Sequence, residues 1–349
     1  MRAMSGPGNG EGGRRARVTI REIAELAGVS IATVSRVVNG RDDVSEETRE
    51  VVQRIVRERG YSANRSARGL SAGRTGFVGV TVPMVADAYF TLLLSGAAEA
   101  LDELDMRIVL CPTQHEHDRE VTLLERLMHG TTDGAILILP EETNDELEVL
   151  VNHGYRFVVV DPLMRLDERI SGVSSANTAG ADQAMKHLLE LGHRRIGAIT
   201  GPRGWFATEE RRRGYHAALA AYGIMPDPAI ELEGDFKIEG GIKAGEQLLG
   251  LPDRPTAVFA FNDNLAIGLM QAAHALGLRV PEDISIVGVD DVELAGVVNP
   301  GLTTVRQPLA EMGRMAVSLL TRALDNQRFE ALHVELATRL VVRGSTQHV

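Results

Sequence analysis

Two groups of residues in this sequence have the types and spacing for chemistry. The first consists of polar side chains standing just past short apolar runs: Asp161 after FVVV, Asn262 and Asp263 after AVFAF, Asp290 and Asp291 after ISIVGV. Runs of that length read as buried strands, and in open α/β sheets ligands bind at the carboxyl ends of the strands. Each has a structural alternative, since Asn262 or Asp263 can cap the following helix and Asp290-Asp291 can form a turn. The second group centres on Arg36, the one charge in GVSIATVSRVVNG. At about 100° per residue, Val34, Val37 and Val38 fall on one side of a helix, and Ala32, Ser35, Arg36 and Asn39 on the other. A helix that enters a major groove needs little bulk there and a guanidinium able to reach guanine O6 and N7 together. Ser30, Thr33 and Ser35 can donate to phosphates. Any amphipathic surface helix with an incidental arginine gives the same local pattern, so the surroundings must decide.

Other groups are weaker. The run HEHD, His115 to Asp118, lacks a third distant ligand and reads as the solvated start of a helix. GRTGFVG lacks the spacing of a dinucleotide loop, and no nucleophile–base pair emerges. The expectation is no metal, no cofactor and no catalytic centre.

The elements that must position these residues fall into two textures. Residues 1–17 are Gly-rich and read as a disordered tail without the apolar core of a secretory signal. From Thr19 to Gly60 the pattern is wholly helical: Thr19 caps a first helix stopped by Gly28, Ser30 caps a second closed by Gly40, and Ser45 caps a third before Gly60. The turn Gly28-Val29-Ser30 joins the first two. Beyond residue 75, the apolar runs FVGVTV, RIVLC, GAILIL, RFVVVD, RIGAIT, AVFAF and ISIVGVD alternate with helix-length amphipathic stretches. That alternation implies parallel sheets covered on both faces, and so many units suggest two doubly wound subdomains with a cleft between them.

The net charge of −11 is unevenly spread. Residues 1–74 hold fourteen Arg, no Lys and nine Asp or Glu, a net +5, which leaves −16 for the rest. A small basic head on an acidic body is the asymmetry of a chain in which one module meets phosphate. The single cysteine, Cys111, excludes an intramolecular disulfide and a thiolate metal cluster. No run is long enough to span a membrane, and a soluble cytoplasmic protein is expected.

VTIREIAELAGVSIATVSRVVNGRDDVSEETREVVQRIVRERGYSANRSARGL closely resembles the N-terminal module of LacI-family transcriptional regulators. LLELGHRRIGAITGP, RRRGYHAAL, FNDNLAIGLMQA, PEDISIVGVDD and PGLTTVRQP carry the resemblance through the body to about Gly344. It implies a small all-α helix-turn-helix DNA-binding domain plus an α/β periplasmic-binding-protein-like core of two doubly wound parallel-sheet subdomains. The implied division is a tail at 1–17, a DNA-binding head at 18–62, a hinge helix or linker at 63–75 and a core at 76–345. Within the core, the N-subdomain takes about 76–175 and 307–336, and the C-subdomain about 176–306 and 337–345.

The same resemblance implies roles. Ile31, Ala32 and Arg36 match base-reading positions, and Thr19, Ser30, Thr33, Ser35 and Asn39 match phosphate-contacting ones. Ile31 and Ala32 would meet thymine methyls. In some relatives a histidine in the loop after the second helix also reaches DNA. The matching residue here is Asp43, whose charge repels phosphate, so that contact is not carried over. Asn64, Ala67 and Leu70 fall in the segment matching the hinge helix, with Leu70 as a minor-groove wedge. Asp161, Arg211, Asn262 and Asp290 match effector-contacting positions and suit vicinal hydroxyls. Trp205 and Phe236 offer aromatic faces for a sugar ring, or belong to the core.

The expected function is a homodimeric, ligand-responsive repressor on a pseudo-palindromic operator of double-stranded DNA, its operator affinity controlled by a small-molecule effector, first of all a carbohydrate, that either releases the DNA or acts as a co-repressor. A nucleobase or nucleoside co-repressor stacked between Phe236 and an arginine is the alternative ligand. A binding protein without regulation is the alternative class, and an enzyme using the cleft carboxylates is a third. No heptad repeat follows Gly344, so a dimer is expected.

Overall fold

The computed structural model describes residues 18–38, 41, 43–61, 74–325 and 333–349. They form two compact units, divided between Thr75 and Gly76.

The first unit is helical. Helix α1 (Ile20–Ala27) opens with a reciprocal capping box: the Thr19 hydroxyl accepts from the Glu22 N–H at 3.3 Å, and Glu22 accepts from the Thr19 N–H at 2.9 Å. Gly28 ends it in the left-handed region, φ 65°, where a side chain would be strained. Ser30 starts α2 (Ile31–Val38) by accepting from the Thr33 N–H at 3.0 Å. Ser45 caps α3 (Glu46–Arg59), which ends at Gly60. One apolar face from each helix meets the others, burying Ile23, Ala24, Val34, Val37 and Val52.

The second unit holds two six-stranded sheets. The first takes β1 (Phe77–Val82), β2 (Arg107–Pro112), β3 (Gly134–Ile138), β4 (Phe157–Val160), β5 (Gly172–Ser175) and, from far along the chain, β11 (His333–Leu336), in the order β11-β5-β4-β3-β1-β2. The second takes β6 (Ile196–Thr200), β7 (Glu231–Glu233), β8 (Ala257–Ala260), β9 (Ser285–Asp290), β10 (Thr303–Arg306) and β12 (Arg339–Val341), in the order β12-β10-β9-β8-β6-β7. Every pairing is parallel except β10 with β12.

Parallel strands need crossovers, and helices on both faces supply them. Consecutive residues of one strand therefore feed two different cores. In the first sheet Val78, Val80, Ile136 and Val158 pack with Leu93 and Met312 on one face, while Ala135, Leu137 and Val159 meet Leu124 and Leu147 on the other. The helices are α4 (Ala88–Glu103), α5 (His117–Met128), α6 (Asn144–Asn152) and α12 (Leu309–Leu324) around the first sheet. Around the second are α7 (Asn177–Glu190), α8 (Phe206–Ala221), α9 (Ile238–Leu249), α10 (Asp263–Ala275) and the short α11 (Glu293–Val297).

Helices α4 and α12 pack closely because each brings a glycine to the contact. A Cβ on Gly96 would lie 1.9 Å from the Ala310 carbonyl oxygen, and one on Gly313 would lie 2.2 Å from that of Leu93. The chain passes between the two sheets three times, after β5, after β10 and after β11. A helical head and a core of two parallel sheets agree with the architecture expected from the sequence.

Candidate DNA interface and ligand cavity

On the first unit, burial of Val34 and Val37 turns the opposite side of α2 outward. Arg36, Ile31 and Ala32 are exposed there, and Ile31 is 44% exposed despite its apolar side chain. Thr33 and Ser35 are half-buried, while Thr19 and Ser30 are exposed at the two helix starts. The hydroxyls of Ser30 and Thr33 lie 2.9 Å apart, so the cap and the helix start present one hydrogen-bonding patch. Arg36 Nε lies 3.4 Å from Asp43 Oδ2. Asn39, Asn64, Ala67 and Leu70 lie outside the described residues.

In the second unit a cavity of about 290 Å³ opens at the carboxyl ends of the strands of both sheets. All six residues assigned to a ligand from the sequence line it: Asp161, Trp205, Arg211, Phe236, Asn262 and Asp290. Several stand in left-handed backbone conformations, with φ of 51° at Asp161, 63° at Phe236 and 118° at Asp290. Such conformations cost on the order of 1–3 kcal/mol each and persist where the surroundings over-determine them. Strand-to-loop turns force them here, and the turns aim the side chains across the strand ends.

The acids are buried and paired with donors. The Tyr89 hydroxyl donates to Asp161 Oδ2 at 2.6 Å. Burial raises the Asp161 pKa, against the Tyr89 donor and the Arg211 charge, and burial together with Asp161 pushes the Tyr89 phenol well up. Asp290 accepts from Gln307 Nε2 at 2.5 Å. Its pKa is pushed up to about 7 by burial, opposed by Arg211 and Gln307 and reinforced by Asp87 and Asp161. Arg211 is itself clamped: Nε donates to Asn177 Oδ1 at 2.8 Å and Nη1 to the Phe261 carbonyl. Two buried carboxyls thus lie in the field of one buried guanidinium without pairing to it, and added hydroxyl donors would be welcome to both.

Asn262 caps α10: its Oδ1 accepts from the Leu265 N–H at 2.8 Å and its Nδ2 donates to the Phe236 carbonyl at 2.9 Å. The capping alternative is realised, and through it Asn262 fixes the loop that carries Phe236. The Phe236 ring lies against Gly201, where a Cβ would come within 2.0 Å of it. Trp205 and Phe236 form a tilted wall, centroids 5.7 Å apart at 42°, with the His115 ring 6.4 Å beyond Trp205.

In the HEHD run Glu116 and Asp118 are exposed at the start of α5, as a solvated helix start requires, and His115 before it is exposed as well. His117 begins α5 and faces Glu146 Oε1 at 3.0 Å. His115 precedes the helix at φ 57° and lines the cavity. The lining role of His115 was not foreseen: β2 ends at Pro112, so the residues just after it fall at the strand-end level where ligands collect. Asp87, Tyr89 and Asn264 were also missed. Asp87 lies in the loop after β1 and was findable by the strand-end rule already applied to Asp161, whereas Tyr89 lies inside α4. Asn264 spans the cleft, donating to Asp87 Oδ2 at 3.4 Å and to the Phe236 carbonyl at 3.3 Å. The Phe206 N–H makes a second crossing, to the Leu163 carbonyl at 2.7 Å.

Among the described residues no group of three His, Cys, Asp or Glu could hold a metal ion. Nor is any described helix long and apolar enough to cross a membrane.

Comparison with known proteins finds two families along the chain. "Bacterial regulatory proteins, lacI family" matches residues 19–64 and "Periplasmic binding protein-like domain" matches 185–346. The ribose operon repressor of Escherichia coli (strain K12) is 33% identical over 327 residues, covering 94% of this chain and 99% of its own length. Among solved structures, the transcriptional regulator CelR–cellobiose complex is 35% identical at a TM-score of 0.73, covering 94% of this chain and 100% of that one. The lac repressor dimer bound to operator and the anti-inducer ONPF is 29% identical at a TM-score of 0.85, covering 95% of this chain and 99% of that one. The three-helix head with its exposed arginine, the two parallel sheets around a cavity with buried acids and an arginine in its lining, and a match along nearly the whole length agree: the chain belongs to the lacI family of bacterial regulatory proteins.

Proposed function

We propose that the protein is a cytoplasmic, homodimeric transcriptional repressor whose affinity for a pseudo-palindromic operator is set by a small carbohydrate in the cavity. In this reading Ile31, Ala32 and Arg36 read base edges, and Thr19, Ser30, Thr33, Ser35 and Asn39 hold phosphates. Asn64, Ala67 and Leu70 serve the minor groove at the operator centre. Residues 76–175 with 307–336, and 176–306 with 337–345, are the two lobes that close on the ligand. The protein acts by binding, with no catalytic step.

The observation that carries the ligand class is the pairing of buried hydrogen-bonding groups with one aromatic wall. Asp161, Asp290 and Arg211 suit vicinal hydroxyls, and the Trp205–Phe236 face suits the apolar side of a sugar ring. The relatives support the same class by name, one as a ribose operon repressor and one in complex with cellobiose. The lac repressor dimer on its operator supports the DNA half and the dimer.

A ligand changes DNA affinity only through its differential affinity for the operator-bound and released states. The test is a fluorescence-anisotropy titration of the full chain on operator DNA selected from a genomic library, repeated with a panel of mono- and disaccharides and of nucleosides. At least one sugar should shift the operator affinity tenfold or more while nucleosides do not. A nucleoside response without a sugar response would overturn the carbohydrate assignment, and salt-sensitive binding without sequence preference would overturn the repressor.

A further inference from the structure

Asp43 sits in the loop between α2 and α3, where its carboxylate meets Arg36. That loop is tied back onto the helix it follows. The Arg41 N–H donates to the Arg36 carbonyl at 2.9 Å, and Arg49, from α3, donates through Nη2 to the Arg41 carbonyl at 2.7 Å. Ser45, two residues past Asp43, is fixed as the α3 cap, accepting from the Thr48 N–H at 3.4 Å. Asp43 thus stands beside the guanidinium between two anchored residues, Arg41 and Ser45.

The contact is made at one edge of the fork. The nearest approach is 3.4 Å, between Asp43 Oδ2 and Nε, on the edge of the planar guanidinium that also carries one Nη group. The end formed by the two Nη groups is a separate edge, and it can span O6 and N7 of a guanine. An arginine alone on a helix surface samples many rotamers, and freezing it on a base costs entropy. A carboxylate gripping Nε removes part of that cost beforehand. The same carboxylate repels phosphate on every sequence, so it lowers the sequence-independent part of binding, and a guanine contact by the arginine offsets that loss only at the cognate position.

We propose that Asp43 is a specificity-determining positioning residue: it holds Arg36 by the Nε edge for guanine recognition and penalises DNA that offers Arg36 no guanine. The proposal rests on the assignment of Arg36 as a base reader. Side chains of both residues are more than half exposed, at 55% and 59%, so changing either leaves the head core intact. An exposed ion pair shifts an equilibrium by about two- to fivefold, which sets the size of the effect.

The test is selection and sequencing of bound duplexes from a randomised library, with full-length wild type, Arg36→Ala, Asp43→Ala and Asp43→Glu side by side. Wild type should prefer guanine at one position of each half-site, and Arg36→Ala should erase that preference. Asp43→Ala should keep guanine first but shrink its margin about two- to fivefold at that position alone, while binding a scrambled duplex more tightly at low salt. Asp43→Glu should restore part of the margin. If Asp43→Ala leaves the margin unchanged, or lowers preference at every position alike, the proposal fails while the Arg36 assignment stands. If Arg36→Ala leaves the guanine preference intact, both fall.

Discussion

Arg211 is held by two neighbours before any ligand arrives, Asn177 and the Phe261 carbonyl, and its charge lowers the pKa of both Asp161 and Asp290. Its expected part is to oppose the burial that raises the pKa of both carboxyls while offering its remaining donors to the ligand. Hydrogen bonds involving a charged group are worth about 1.5–3 kcal/mol, so Arg211→Ala should weaken ligand binding by roughly 10- to 100-fold. Operator affinity without ligand should stay within a few-fold of wild type, measured by anisotropy beside calorimetric ligand binding. A variant that still responds at wild-type ligand concentrations would remove Arg211 from the site. The acids after β4 and β9 were legible because each follows an unbroken apolar run. Tyr89, His115 and Asn264 were not, since each is placed by a loop or a helix start whose geometry no local pattern encodes.

At the level of elements, what the sequence hides is mostly helices and strands that trade propensity for proximity. Helix α9 carries Gly240, Gly241 and Gly245, and each interior glycine costs up to about 1 kcal/mol of helix propensity relative to alanine. The glycines are there for packing: a Cβ on Gly241 would lie 2.3 Å from the Leu265 carbonyl oxygen on α10. Strands β7, β11 and β12 read ELE, HVEL and RLV, edge segments too short and too polar to show the buried-strand pattern that announced β1, β3, β4 and β9. The α4–α12 contact allows a direct check. Gly96→Ala gains helix propensity yet forces a methyl to 1.9 Å from a backbone oxygen. Overpacking of this kind costs typically 1–3 kcal/mol, so the thermal midpoint of the full chain should fall. A rise would mean that the helices are not in the close contact described.

Over the whole molecule, buried acids make stability depend on pH in an unusual direction. Glu142 is 3% exposed, and neither of its carboxylate oxygens finds a partner among the described residues. Burial, then the nearby Glu120, pushes its pKa up to about 8. An unfolded glutamate ionises near pH 4.3. Below that value both states carry the proton and the group costs nothing. As pH rises the unfolded chain ionises first, so stability falls progressively until the folded group also ionises near pH 8. Asp290, raised to about 7, acts in the same sense. The thermal midpoint should therefore decline between about pH 5 and pH 8, and Glu142→Gln should flatten the decline. An equally steep decline in that variant would place its origin elsewhere.

The three passages of the chain between the sheets also fix a schedule for biosynthesis. Strands β1 to β5 emerge from the ribosome together, but the helix that covers one of their faces, α12, and their edge strand β11 come only after nearly all of the second sheet. Domains made in one piece can fold as they appear, N-terminal first. This core cannot, because the apolar face formed by Val78, Val80, Ile136 and Val158 of its first-made sheet is covered by α4 alone until Met312 and its neighbours arrive. A premature stop anywhere before residue 309 would therefore leave the earlier lobe as unfinished as the later one, and such fragments should aggregate rather than persist as half-proteins.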